Sequence, residues 1–295
     1  MSPSWLIVLA SLLFATMGAC VKLASHDYGS GEIVMYRGLV GALLIGFVSR
    51  WRGDSLRTSV PMQHFLRSLS GVVALCLWFY AIGKLQLATA MTLNYTSSLW
   101  LALFVLGGAV TARRKPSELA LALMALAGFV GVLLVLQPTI AREQWWAGLV
   151  GLLSGVVSAA GYLQVAALGR AGEPESRIVF YFSVGGIVGG AALSNLTGWH
   201  AHTWSSAGLL LAVGVLATAA QLMLTRAFTR GRTLVNASLQ YLGIGFSFLY
   251  GVALFDERVT WTAAVGMLLI VAAGVFATAL RTPTAPAASL APDRR

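Results

Sequence analysis

Acidic residues are scarce: only 10 Asp and Glu stand in a chain of 295 residues, and charge of either sign reaches only 10%. A soluble domain of this size carries about 25% charged residues. The shortage excludes a water-soluble globule, because too little polar surface remains to cover an apolar interior. With 58% hydrophobic residues and a mean hydropathy of +0.79, most of this chain has lipid as its solvent.

Other absences narrow the function. Only two cysteines occur, Cys20 and Cys76, each inside an apolar run, which excludes a disulfide framework and a metal site. The four histidines, His26, His64, His200 and His202, read as loop residues, and no Asp or Glu lies in the middle third of any apolar run. A membrane enzyme would need a buried catalytic set such as HExxH, paired aspartates or Ser with His. No catalytic residue, metal or cofactor is therefore expected. A buried proton-binding carboxylate, or the acid that exporters of lipophilic cations use, is missing on the same ground. The basic excess of +10 gathers into no soluble patch, so nucleic acid is not an expected partner.

What is present is a series of apolar runs. A bilayer core of roughly 30 Å needs about 20 helical residues. Ten runs meet that length: 4–23, 32–49, 65–83, 88–110, 118–137, 146–168, 177–196, 206–226, 234–254 and 260–280. Backbone groups in lipid find no partner outside their own segment, so each run reads as a helix. The first begins at Trp5 with no basic segment before it, which marks an uncleaved span rather than a signal peptide. The tail 282–295, TPTAPAASLAPDRR, reads as disordered.

Cations segregate between the connecting segments. Arg50, Arg52, Arg57, Arg67, Arg113, Arg114, Lys115, Arg170, Arg177, Arg226, Arg230, Arg232, Arg281, Arg294 and Arg295 fall on one side, against Lys22, Lys84, Arg142 and Arg258 on the other. Positive charge stays inside, so both termini are expected in the cytoplasm. Arginine outnumbers lysine 17 to 3, a composition associated with GC-rich bacteria and hence with an inner membrane.

The two halves resemble each other. Residues 79–100, FYAIGKLQLATAMTLNYTSSLW, align without gaps on residues 225–246, TRAFTRGRTLVNASLQYLGIGF, pairing Ala81 with Ala227, Lys84 with Arg230, Asn94 with Gln240 and Tyr95 with Tyr241. Five spans per half is an odd number, so equivalent helices run in opposite directions. The charge bias reverses accordingly, ARRK in loop 4–5 against DER in loop 9–10. The expected fold is an all-α polytopic membrane protein of ten transmembrane helices in a 5+5 inverted repeat, with halves 1–140 and 141–281. Inverted repeats recur among secondary transporters, where two halves rock about a central site.

The chain also resembles the drug/metabolite transporter superfamily, in its ten-helix EamA-type branch. The resemblance spans residues 4–281. It is carried by MYRGLVGALL, GKLQLATAMTLNYTSSLW, TRAFTRGRTLVNASLQYLGIGFSFLYGVALFDERVT and GMLLIVAAGVF. It implies a secondary transporter close to bacterial exporters of amino acids and related metabolites, and the outward direction follows from it alone. One departure stands out. The family often ends helix 4 with an acid, as Glu257 does after helix 9, but this chain has Ala112, Arg113 and Arg114 there.

Polar residues inside spans mark the expected binding cavity, because they are costly in lipid. Trp78, Asn94, Tyr95, Ser98, Trp100, Ser158, Tyr162, Gln221, Gln240, Tyr241 and Ser247 form that set, in stripes on four helices with flanking aromatics. Each alone could be hydrogen-bonding glue between helices, at about 0.6–2 kcal/mol per bond. Together they suit a neutral or zwitterionic solute such as an aromatic or hydrophobic amino acid. Arg37 is the one cation expected inside a span, near its outer end and within reach of Glu32 or Asp27. With no other buried cation, a phosphate would lack its clamp. The alternatives are another uncharged metabolite or drug, or a channel-like protein, although a channel wants a continuous polar face. The lipid bilayer and one small solute are the expected partners, and a monomer the expected state.

Overall fold

The structure is a computed structural model that describes residues 3–101, 103–104, 127–128, 130–131, 134, 144–230, 236, 239–258 and 260–279. These residues form helices and no strand. The helices are α1 (Pro3–Ala24), α2 (Ser30–Arg52), α3 (Pro61–Lys84), α4 (Leu87–Tyr95), α5 (Trp145–Arg170), α6 (Glu175–Thr197), α7 (Trp204–Arg230), α8 (Leu242–Phe255) and α9 (Trp261–Ala279). Among the described residues, six helices (α1, α2, α3, α5, α6 and α7) are long and apolar enough to cross a membrane, and α8 and α9 are shorter apolar helices. The protein is thus an all-helical multi-pass membrane protein. Nine helices are described where ten runs were expected. The run 118–137, apart from 127–128, 130–131 and 134, and the tail 282–295 lie outside the described residues.

Local chemistry sets the helix ends. Glu32 closes a capping box at the start of α2 by accepting the Gly29 amide at 3.0 Å, which satisfies one of the orphan donors of a helix N-terminus. Gly53, at φ 74°, ends α2 in the left-handed region that a Cβ disfavours. Pro61 occupies the first turn of α3, where its missing N–H costs nothing.

Pairing between helices follows a repeating order. α1 packs on α7 as α3 packs on α5, α2 meets α7 as α3 meets α6, and α1 meets α8 as α4 meets α5. Two further pairs, α2 with α6 and α4 with α8, join elements of the two halves directly. Small residues permit the closest of these contacts. A Cβ on Gly38 would lie 2.5 Å from the Ser183 carbonyl oxygen, and one on Gly190 2.6 Å from the Gly31 oxygen. Helices in lipid associate by such packing, since apolar side chains gain nothing by leaving the tails. The outer surface is accordingly apolar, with Phe47, Leu43, Leu196 and Leu268 exposed. Trp5, Trp51, Trp204 and Trp261, at 66–97% exposure near helix ends, fit the aromatic belt expected at the interface.

Two helices tighten at related points. The backbone passes from α4 through a turn at Thr96, and α8 follows a turn at Gln240–Tyr241. The amides of Gly243 and Ile244 there bond three residues back, to Gln240 and Tyr241, the tighter 3₁₀ pattern. In the internal alignment Thr96 meets Leu242, one residue past the second turn, so the Asn94/Gln240 and Tyr95/Tyr241 pairs border both turns.

Candidate functional site

These turns border a narrow cavity of about 50 Å³ at the centre of the bundle, lined from α1, α3, α4, α5, α6, α7 and the segment before α8. Seven residues expected from sequence line it: Trp78, Asn94, Tyr95, Ser158, Tyr162, Gln221 and Gln240. Hydrogen bonds hold several in place. The Asn94 amide nitrogen donates to Ser154 at 2.9 Å and to Ser158 at 3.2 Å. Tyr162 donates its hydroxyl hydrogen to the Gln240 side-chain oxygen at 3.1 Å, and its ring stacks on Phe228 at 5.0 Å.

The other four expected residues stand apart from the lining. Ser98 is buried outside it and Trp100 is half-buried against the core. Tyr241 is buried behind the wall. Ser247 returns its hydroxyl hydrogen to the Gly243 carbonyl one turn back, at 2.7 Å, the local back-bond common for a helical serine.

Sequence reasoning missed Phe14, Phe182 and, above all, Arg67. The apolar run 65–83 puts Arg67 at a loop edge, but α3 begins at Pro61, so Arg67 lies inside the helix, 4% exposed, on the cavity wall. Its guanidinium rests 4.1 Å from the Phe182 ring centroid. It folds back over Gly71, where any Cβ would collide with Nη1, and passes close to Gly161. Pro61 and the run Arg67, Gly71, Leu75, Trp78 at steps of four, four and three form one helical face, and that signal would have found it.

Arg37 also departs from expectation. It pairs with neither Glu32 nor Asp27. Buried at 4% exposure, it donates to the Gln221 side-chain oxygen at 3.3 Å and approaches the Phe182 ring at 5.1 Å. The premise that Arg37 is the lone buried cation is therefore wrong, and the inference that an anionic group would find no clamp falls with it.

Acids hold the two ends of the bundle. Glu257 pairs with Lys22 at 2.7 Å and takes the Leu87 amide on both oxygens at 2.8 and 2.9 Å, so it caps α4 from the turn after α8. Glu32 receives the His200 amide at 2.9 Å, and its carboxylate lies 2.6 Å from the His200 ring. At the other end, His64 proves to be a buried α3 residue rather than a loop one, 3.0 Å from Glu173 in the α5–α6 turn. Thr58 and Arg177 donate to the same carboxylate at 2.9 and 3.0 Å. Burial works to raise the Glu173 carboxyl, but the bonds from His64, Thr58 and Arg177 outweigh it and hold the group below its ordinary value.

A helical bundle that crosses a membrane several times and encloses a narrow, partly polar cavity has the architecture of a transporter. The chain is 34% and 33% identical to the pseudopaline exporter CntI of two Pseudomonas aeruginosa strains, over 90% of this chain and 93% of each relative. It is 25% identical to an uncharacterized transporter of Helicobacter pylori, over 92% of both chains. A solved crystal structure at 20% identity shares the fold, with a TM-score of 0.68 over 94% of this chain and 96% of that one. The sequence profile of the EamA-like transporter family matches residues 1–137. The chain belongs to the EamA-like transporter family.

Proposed function

We propose that this protein is a secondary transporter that exports small zwitterionic metabolites of the amino-acid class from a bacterial cytoplasm, by alternating access between halves 1–140 and 141–281. The observation that carries this reading is the central cavity, which groups from both halves line and which is too small for its cargo. A water molecule needs roughly 10–15 Å³ on the same measure, so about 50 Å³ holds a few waters and no amino acid. A solute can enter only if the halves move.

Several features support such a motion. The helix pairings recur between the halves, α1 on α7 as α3 on α5. The turns at Thr96 and at Gln240–Tyr241 stand at related points, as interrupted helices do at the centre of inverted-repeat carriers. The ten apolar runs support ten spans, the excess of arginine over lysine an inner membrane, and the cation asymmetry cytoplasmic termini. The outward direction is supported by the similarity to a pseudopaline exporter.

The test is uptake into liposomes bearing the purified protein. Labelled phenylalanine and leucine should enter faster than into empty liposomes. If neither enters while a lipophilic cationic dye does, the substrate class is wrong. Reporter fusions at Lys115 and Arg230 should both report the cytoplasmic face, and opposite faces would remove the inverted-repeat geometry.

A further inference from the structure

We propose that Arg67, backed by Arg37 across the Phe182 ring, makes the central cavity a carboxylate clamp, and that the preferred cargo carries more negative than positive charge. The clamp rests on the transport reading for the fate of a bound solute, and deepens that reading by assigning the charge of the substrate.

Neither Arg37 nor Arg67 has a counter-ion among the described residues. Both guanidinium groups are buried at 4% exposure and share one aromatic ring, at 4.1 and 5.1 Å. Among the described residues neither forms an ion pair: Glu32, Glu173, Glu175 and Glu257 are held by His200, His64 with Arg177, Arg230 and Lys22. The Phe182 ring and the Gln221 oxygen are neutral partners and leave the net charge uncompensated. Two like charges in a low-dielectric interior are costly without an opposite charge between them.

The spare hydrogen-bonding groups of the wall share one sense. On the cavity wall the buried atoms without a partner among the described residues are Nε of Arg67, Nε1 of Trp78, the Tyr95 hydroxyl and Nε2 of Gln240. Each can donate. The Gln240 oxygen is already taken by Tyr162 and the Gln221 oxygen by Arg37. A site of spare donors suits a ligand of acceptors, and a carboxylate offers two oxygens to the planar fork of an arginine.

The slot for the guanidinium is built into the helix faces. Gly71 leaves room for the guanidinium where a Cβ would displace it, and Gly161 lies in ordinary contact with it. Arg67 is thereby fixed on the wall instead of extended toward a helix end, where a long cation in lipid would otherwise reach for water.

The experiment measures binding to the detergent-solubilised full chain by thermal shift and by titration, with four probes: N-acetyl-L-phenylalanine, L-glutamate, L-phenylalanine and L-phenylalaninamide. The two net anions should bind tightest, the zwitterion next, and the cationic amide at least tenfold more weakly than N-acetylphenylalanine. Arg67→Gln should remove at least tenfold in affinity for the anions and erase the order, whereas Arg67→Lys should restore part of it. Amide binding equal to that of the anions overturns the clamp, as does binding of none of the four. So does an Arg67→Gln variant that keeps the wild-type order. If that variant fails to fold, the order measured on the wild-type chain decides alone. Liposome flux separates the two claims. Anions that bind in this order without crossing would defeat the transport reading and leave the clamp standing, while equal flux of all four would defeat the clamp and leave transport standing.

Discussion

The Tyr162 hydroxyl reaches the side-chain oxygen of Gln240 at 3.1 Å, joining α5 to the turn before α8 along one wall of the cavity. Tyr95 stands beside it, its ring against Gly243, where a Cβ would come within 2.6 Å. The wall is therefore made by aromatic side chains packed against backbone turns, a contact that must loosen when the cavity widens.

Gln240→Ala and Tyr95→Ala should each slow uptake into proteoliposomes several-fold without lowering expression. Tyr162→Phe, which removes one neutral hydrogen bond of about 1 kcal/mol, should have a smaller effect than either. Initial rates over a range of substrate concentrations check this. Full activity in both alanine variants would exclude these side chains from the transport path.

Glu257 and Lys22 should contribute unequally. The Glu257 carboxylate sits at the N-terminus of α4 and takes the Leu87 amide as well as the Lys22 ammonium, where a negative charge is favoured. Glu257→Ala should cost about 1–3 kcal/mol, because it leaves a buried donor unpaired. Lys22→Ala leaves the carboxylate on its amide and should cost less. Melting temperatures of the two variants and of the double variant give the comparison. A larger loss from Lys22→Ala would show that the ion pair, not the cap, dominates.

Acid should weaken the opposite end. The folded Glu173 carboxyl is held below its ordinary value by His64, Thr58 and Arg177, so its stabilising contribution is complete above the unfolded carboxylate value. That contribution is lost as pH falls through the lower folded value. The gap in melting temperature between wild type and Glu173→Gln should be constant near neutrality and shrink on the acid side. A gap that widens in acid would reverse the sign and refute the account.

Gly190→Ala should destabilise by about 1–3 kcal/mol, the usual range for overpacking, since the added carbon would meet the Met35 amide and the Gly31 oxygen at 2.5 and 2.6 Å. Gly208→Ala, with nothing within 4 Å, is the control and should be neutral. Thermal denaturation in one detergent measures both.

Much of this was legible residue by residue. The internal alignment pairs Asn94 with Gln240, and both reach the cavity. Glycine pairs at a spacing of four mark close helix contacts, and Gly186 and Gly190 face α2, Gly185 and Gly189 face α3, and Gly151 and Gly155 face α4. Arg67 escapes a sequence reading because a cation near the end of an apolar run looks like a loop residue. Its helix starts four residues before the run 65–83, which carries the charge inward past the first turn. Ser98 and Ser247 mislead for another reason. A hydroxyl facing a neighbouring helix and one facing a cavity look the same in a sequence.

By itself, the amino-acid sequence determined the solvent, the all-helical class and the family. Hydropathy averaged over about 20 residues suffices to say that a segment leaves water. Only the tertiary structure decided which side chains meet at the centre and that two arginines lie there without an acid among the described residues. In lipid the interior and the exterior of a bundle are both largely apolar, so hydropathy alone does not mark the inward face. The crossing of each helix with its neighbours chooses that face one residue at a time.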